Sequence, residues 1–173
     1  RTNQSGVTVS EAARTRIFSM GARMDVVSRG FKEEGNVGLE FEAGLDEGQE
    51  IRVEKIASIC TSRDPAISNS LIEAREKVFC AGGFEDLLEV HVRRWRHLWE
   101  RCGLEIEAGG PWAQKILDLH IFHILQTLSV HTIELDAGVP PRGLHGEAYR
   151  GLIMWDELFV FPFLNFRIPD IPR

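Results

Sequence analysis

Trp155 and Asp156 are the two adjacent residues of this sequence best suited to binding a sugar. An indole ring packs on the apolar face of a sugar ring, and a carboxylate accepts hydrogen bonds from its hydroxyls. The pair follows a stretch with three glycines, two arginines and one glutamate, residues 142–151. On composition alone, a core anchor for Trp155 and a surface or helix-start carboxylate for Asp156 are competing roles. The further candidates for the same pocket are Gly146, Glu147, Tyr149, Arg150 and Glu157.

Two of these candidates, Glu147 and Glu157, have alternative roles. As a general acid, either would need burial and a position above the bond to be broken, which spacing in the sequence does not define. The favoured interpretation is that they hold the loop and the following helix start through hydrogen bonds.

Two other patterns have simpler structural explanations. His120 and His123 lie three residues apart on a predicted helix, but no third ligand at helical spacing joins them, so we expect no metal site. The basic and aromatic stretch at residues 91–97 resembles a nucleic-acid contact, yet the chain carries a net charge of −6. Nucleic-acid and anionic-membrane binders need a dominant basic surface, so neither partner is expected.

The chain has 173 residues, of which 43% are hydrophobic, and this composition predicts a soluble globular protein. No apolar run reaches the roughly 18 residues of a membrane span. Cys60, Cys80 and Cys102 are odd in number and form no CxxC pair, so a disulfide framework is not expected and a reducing cytoplasm is the predicted location. The start has no signal pattern, and both ends look cut.

Alternating apolar residues predict strands in the first third of the chain. Val37, Leu39 and Phe41 alternate with polar residues or glycine, and residues 51–59 continue this period. Turn residues at 44–48 separate the two runs, so residues 37–61 are predicted to form a β-hairpin. Residues 6–28 are less regular and are also predicted to be strand.

Helical spacing replaces this alternation after Pro65. The predicted helices cover residues 67–78, ended by two glycines, then 84–99 with one apolar stripe, 112–128, and 152–164. The third is apolar nearly all round, which predicts deep burial in a larger body. Pro162 is expected to kink or end the fourth. Strands followed by helices indicate an α+β fold or two segregated domains, with a boundary near residues 62–65.

The stretch around the Trp-Asp pair resembles a known family. Residues 136–140 and 143–151, together with Met154-Trp155-Asp156-Glu157, are similar to the signature of glycoside hydrolase family 65, which includes maltose, trehalose and kojibiose phosphorylases and acid trehalases. Weaker similarity extends through nearly the whole chain. One departure is Gly151-Leu152, where the family usually has Gly-His.

The resemblance implies a layout for the chain. Residues 1–64 would be the last strands of an N-terminal β-sandwich, residues 65–110 a helical linker, and residues 111–173 the start of an (α/α)6 catalytic barrel. It also implies an inverting reaction at an α-glucosidic bond, in which a Glu protonates the leaving oxygen while phosphate or water attacks the anomeric carbon. The family's Trp-Asp pair, matched by Trp155 and Asp156, binds the glucose before the scissile bond.

The resemblance places the rest of the catalytic apparatus outside these residues. The general-acid Glu and the phosphate-holding residues would lie downstream of Arg173, so no catalytic residue is expected within the chain and the fragment alone should be inactive. The partners implied are a disaccharide and inorganic phosphate, with no cofactor. Three functions stay open: a phosphorylase segment, a segment of an inverting α-glucoside hydrolase, and a non-catalytic oligomerising fragment. Helices lacking their barrel partners would expose apolar faces, which predicts a homo-oligomer.

Overall fold

The computed structural model describes residues 1–133, 137–139 and 151–171 and contains five strands and four α-helices within them. The chain divides into two compact units, residues 1–89 and residues 90–173. Strands lie in the first unit, so the predicted α+β class is confirmed. The elements are β1 (Val9–Ser19), β2 (Ala22–Met24), β3 (Val27–Glu33), β4 (Asn36–Glu42), β5 (Ile51–Thr61), α1 (Ser70–Cys80), α2 (Phe84–Cys102), α3 (Gly110–Leu125) and α4 (Glu157–Arg167).

The first unit contains two antiparallel sheets rather than one. β1 is the central strand of a three-stranded sheet of order β2-β1-β5, and β3 pairs with β4. The second sheet is a hairpin closed by the two residues between Glu33 and Asn36, where Gly35 has a positive φ of 73°, which glycine adopts without steric cost. The strands predicted within residues 6–28 are therefore confirmed.

The predicted hairpin over residues 37–61 is wrong, although both of its strands exist. β4 pairs with β3, and β5 pairs with β1 from Ser19–Ile51 to Val9–Thr61. The buried side of β5 is also the opposite one, because Val53 and Ile59 are exposed while Glu54, Ile56 and Cys60 are buried. α1 packs against β1 and β5 and covers that side. Alternation therefore identified the strand but not its covered face.

α1 is fixed at both ends by side chains. The Asn69 carboxamide accepts hydrogen bonds from the amides of Leu71 and Ile72, at 3.0 and 3.1 Å, and so caps the first turn. At the other end the Arg14 guanidinium, reaching from β1, donates to four backbone carbonyls that end the helix. These acceptors are Val78 at 2.9 Å, Phe79 at 3.3 Å, Ala81 at 3.0 Å and Gly82 at 2.7 Å. Arg14 thus ties the central strand to the helix.

The start of α2 is held by carboxylates. The Glu54 carboxylate, buried on β5, accepts from the Phe84 amide at 2.8 Å, and Asp86 accepts from the Gly83 amide at 2.7 Å. Negative charge at a helix N-terminus is stabilising because unpaired amides and the helix dipole converge there. α2 covers the predicted helix 84–99 and runs three residues further.

The second unit has a small apolar core. Cys102, Ile121, Leu125 and Ile168 are buried together, and partly buried side chains that include Trp95 and Trp99 pack around them. The predicted stripe of α2 reaches this core only through its C-terminal half, since Phe84, Leu87 and Leu88 are exposed. α3 ends at Leu125 rather than at residue 128, and a short 3-10 helix, Val130–Thr132, follows.

Trp112, Ile116 and Leu119 on α3 are exposed, so within the described residues this helix is not buried all round, and its burial in a larger body stays a prediction. One helix prediction for this unit is wrong in part. Residues 152–156 are not helical, and α4 begins at Glu157 and continues past Pro162. Among the described residues, no helix has the length and apolarity needed to cross a bilayer.

The Cys102 thiol gives the second unit a predicted pH dependence. Burial raises the pKa of this thiol, and the nearby Arg101 and Arg167 partly offset that effect. The folded chain therefore keeps the proton where the unfolded chain loses it, so stability should fall as the pH rises above about 9. Between about pH 8 and pH 10 the urea midpoint of the wild type should fall further than that of Cys102→Ala. Equal falls would contradict this assignment.

Candidate functional site

Trp155 presents an accessible aromatic surface directly before α4. Its side chain is 67% exposed, and its ring meets Phe159 edge-on, with centroids 5.8 Å apart and planes at 80°. An edge-on neighbour supports an indole without covering its face. Trp155 is therefore not a core anchor within the described residues.

Asp156 lies beside Trp155, and its carboxylate is not used to cap the helix that follows. The residue is half-buried, occupies the N-cap position of α4 and makes no side-chain capping hydrogen bond. Its backbone carbonyl accepts from the Phe159 amide at 3.1 Å, which fixes the main chain at this corner. A partly desolvated carboxylate on a fixed backbone can accept hydrogen bonds from a polar ligand.

Glu157 has a different role from its two neighbours. It is 6% exposed, and its Oε1 accepts a hydrogen bond from the backbone amide of Val139 at 2.8 Å. This contact joins the first turn of α4 to a segment 18 residues earlier in the chain. The interpretation that Glu157 holds the loop therefore has a direct contact behind it.

Gly138 allows that segment to approach closely. Its amide donates to the carbonyl of Gly151 at 2.8 Å. A Cβ at residue 138 would contact Glu157 Oε1 and would lie 2.7 Å from the carbonyl oxygen of Leu152 and 2.9 Å from Cα of Ile153. Only a residue without a side chain fits, because two of these neighbours are backbone.

Gly138→Ala should therefore disrupt the support beneath Trp155 and Asp156. We expect a loss of about 2–3 kcal/mol from the free energy of unfolding, because the neighbouring backbone has to move. Urea denaturation followed by Trp fluorescence measures the effect. Gly44→Ala is the matched control, since no atom lies within 4 Å of a Cβ there and its φ is not positive. Equal small effects of the two substitutions would show that the close contact is not restrictive.

The other candidates cannot be placed. Gly146, Glu147, Tyr149 and Arg150 lie outside the described residues. The structure thus brings Trp155, Asp156 and Glu157 together at one corner and assigns the third to loop support. Gly138 was not identified from the sequence. Its only signal was a glycine in the Asp136-Ala137-Gly138-Val139-Pro140 run, and nothing there indicated a contact with Glu157.

No cation site is formed by the part of the chain that the structure describes. That part contains no group of three His, Cys, Asp or Glu residues able to hold a metal ion. Nδ1 of His123, one of the two α3 histidines, lies 2.7 Å from the Gln126 side-chain nitrogen.

Both parts of the chain match models of one protein family. Residues 1–98 match the model described as glycosyl hydrolase family 65, N-terminal domain, and residues 118–173 match that of the glycosyl hydrolase family 65 central catalytic domain. The second match includes Gly138, Trp155 and Asp156.

Individual relatives agree with these matches. An uncharacterized glycosyl hydrolase of Mycobacterium tuberculosis is 43% identical over the whole chain, which covers 13% of that protein. A trehalose 6-phosphate phosphorylase of Lactococcus lactis is 32% identical over 77% of the chain, covering 17% of that protein. A kojibiose phosphorylase of Caldanaerobacter subterraneus is 32% identical over 78% of the chain, again 17% of that protein. The chain thus spans less than a fifth of the length of these relatives.

Proposed function

Because the chain belongs to glycosyl hydrolase family 65, we propose that it is part of an inverting α-glucoside phosphorylase acting on a disaccharide such as trehalose, maltose or kojibiose. The observation that carries the proposal is the exposed Trp155 ring beside the uncommitted carboxylate of Asp156, within the match to the family's catalytic domain. The similarity to enzymes named kojibiose and trehalose 6-phosphate phosphorylase supports the choice of reaction.

In this proposal the chain supplies glucose binding rather than bond breaking. Trp155 packs on the apolar face of the glucose before the scissile bond, and Asp156 accepts hydrogen bonds from its hydroxyls. Glu157 and Gly138 hold the two segments that carry this corner. The rest of the parent protein supplies the general-acid Glu, which protonates the leaving oxygen, and the residues that hold phosphate. Phosphate attacks the anomeric carbon from the opposite face and inverts it, with no cofactor.

The test is a comparison of the 173-residue chain with the longer parent. Trehalose, maltose, kojibiose and trehalose 6-phosphate are each incubated with and without inorganic phosphate, and glucose and glucose 1-phosphate are measured. Formation of glucose 1-phosphate by the parent alone, dependent on phosphate, is the expected result. Turnover by the short chain would contradict the assignment of the acid to the rest of the parent and would bring Glu147 and Glu157 forward as candidates.

A second candidate is an inverting α-glucoside hydrolase, in which water replaces phosphate. The 43% identical relative named a glycosyl hydrolase favours it. Glucose release by the parent at the same rate with and without phosphate would select the hydrolase.

We propose the following placement in the parent. Residues 1–64 belong to an N-terminal β-sandwich, residues 65–110 to a linker, and residues 111–173 to the start of an (α/α)6 barrel. A cytoplasmic location is part of the same proposal.

The isolated chain is proposed to form a homo-oligomer, which is also the basis of the non-catalytic alternative. Large apolar side chains on α3 and α4 are exposed, among them Trp112, Leu158, Phe159 and Phe166. If these side chains form a contiguous patch, it would be larger than monomers usually expose, and a second copy would cover it. Sedimentation velocity at several concentrations should show a species heavier than 19.6 kDa. A single monomer at all concentrations would contradict the proposal.

A further inference from the structure

The amine of Lys77 lies next to the sulfur of a buried cysteine. Cys60, on β5, has no solvent-exposed surface, and Nζ of Lys77, on α1, is 3.7 Å from its Sγ. The Lys77 side chain is itself 51% exposed. Because the sulfur has no exposed surface, even a small reagent reaches it only when the contact of α1 with β5 opens locally.

Two further groups hold this pair in place. Glu73 Oε1 lies 3.4 Å from Lys77 Nζ, one turn earlier on α1, and the Ser58 hydroxyl lies 3.9 Å from the Cys60 sulfur. Desolvation lowers the pKa of the Lys77 amine, but Cys60 and Glu73 together raise it by more, so the pKa lies above its usual value. This shift favours the protonated amine, so the neutral, nucleophilic form becomes abundant only as the pH rises towards that pKa.

We propose that Lys77 and Cys60 form a covalent N–O–S bridge when the chain meets hydrogen peroxide. One peroxide oxidises the Cys60 thiol to a sulfenic acid and leaves one water. A second peroxide removes one hydrogen from the sulfenic oxygen and one from the Lys77 nitrogen as the N–O bond forms, and is reduced to two waters. Thiol, amine and two peroxides thus give the bridge and three waters.

The geometry favours this product over its competitors. A direct N–S bond would require the two atoms to move closer together than a bridge with an oxygen between them. A disulfide needs a second thiol beside Cys60, whereas the groups that the structure places at the Cys60 sulfur are the Lys77 amine and the Ser58 hydroxyl. The bridge would join β5 to α1 by a covalent bond, in addition to the contacts that already pack this helix on the sheet.

Mass spectrometry of the 173-residue chain tests the proposal. The chain is treated with peroxide at about pH 9, where a larger fraction of the Lys77 amine is neutral than at about pH 7, and is then digested with trypsin. The expected product gains about 14 Da, one oxygen less two hydrogens, and joins peptide 56–63 to peptide 76–93 because cleavage after Lys77 is blocked. Dithiothreitol should release both peptides.

Two variants distinguish the bridge from ordinary cysteine oxidation. Lys77→Arg keeps the positive charge beside Glu73 but lacks the amine, and Cys60→Ser lacks the sulfur; each should abolish the joined peptides. Oxidised wild type should also unfold at a higher temperature than reduced wild type, and Lys77→Arg should show no such shift. Two results would overturn the proposal. One is a peptide containing Cys60 that gains about 16 or 32 Da but is not joined to another peptide, and the other is a joined product that is about 2 Da lighter, which contains no bridging oxygen.

Discussion

Replacing Trp155 with alanine in the longer parent should lower kcat/KM for its disaccharide by about 100-fold. The exposed indole face contacts the glucose in the proposed site, and such contacts contribute most when the ring flattens in the transition state. Asp156→Asn should cost about 100- to 1000-fold, because a charged acceptor is replaced by a neutral one where positive charge develops. Steady-state kinetics with the disaccharide and phosphate measure both effects.

Phe166→Ala is the matched control for these variants. Phe166 is another exposed aromatic residue, 88% accessible, at the far end of α4. Its removal should change kcat/KM by less than threefold, roughly the scatter of such measurements. If the Trp155→Ala and Asp156→Asn enzymes are folded and as active as wild type, Trp155 and Asp156 do not bind the glucose.

Arg14→Met should be the most destabilising single substitution in the first unit outside the apolar core. Four carbonyls at the end of α1 lose their donor, and the charged guanidinium is the group that joins β1 to this helix. We expect the free energy of unfolding to fall by about 3 kcal/mol. Urea denaturation followed by circular dichroism gives the value.

The geometry of the guanidinium separates this effect from loss of charge. Arg14→Lys retains the charge but not the planar fork, so it should recover at most half of the loss. Arg29→Met removes an exposed arginine from β3 and should change stability by less than about 0.5 kcal/mol. Equal stabilities of the Arg14→Met and Arg29→Met chains would mean that the four contacts do not stabilise the fold.

The sequence predicted where the strands of this fold lie better than it predicted which strands pair with each other. Alternation correctly marked residues 37–41 and 51–59 as strands, because side-chain period is a local property. It could not show that β5 pairs with β1, since the paired residues, from Ser19–Ile51 to Val9–Thr61, are far apart in the sequence. Glu54 illustrates the difficulty: its buried carboxylate accepts a hydrogen bond from the Phe84 amide and lies 3.9 Å from the Arg16 guanidinium, and both partners are distant in sequence.

For the candidate site, too, some features could be predicted from the sequence and others could not. The residue types of Trp155 and Asp156 indicated a polar ligand, and their placement before α4 is consistent with that role. The start of α4 was predicted five residues too early because residues 152–155 are apolar like the helix that follows. The support from Gly138 and Glu157 joins residues distant in sequence, so no local pattern contained it.

The pairing of β1 with β5 also affects the order in which the chain is made and folded. β1 is synthesised before its long partner, which begins only at Ile51, and the far pair, Val9 with Thr61, closes a loop of about 50 residues. At roughly 5–20 residues per second, β1 waits several seconds on the ribosome for β5. Of the two strands that flank β1 in its sheet, β2 is the one already made during that time. Charged side chains lie along β1 at Glu11, Arg14 and Arg16, and they disfavour pairing of its free edge with another nascent chain.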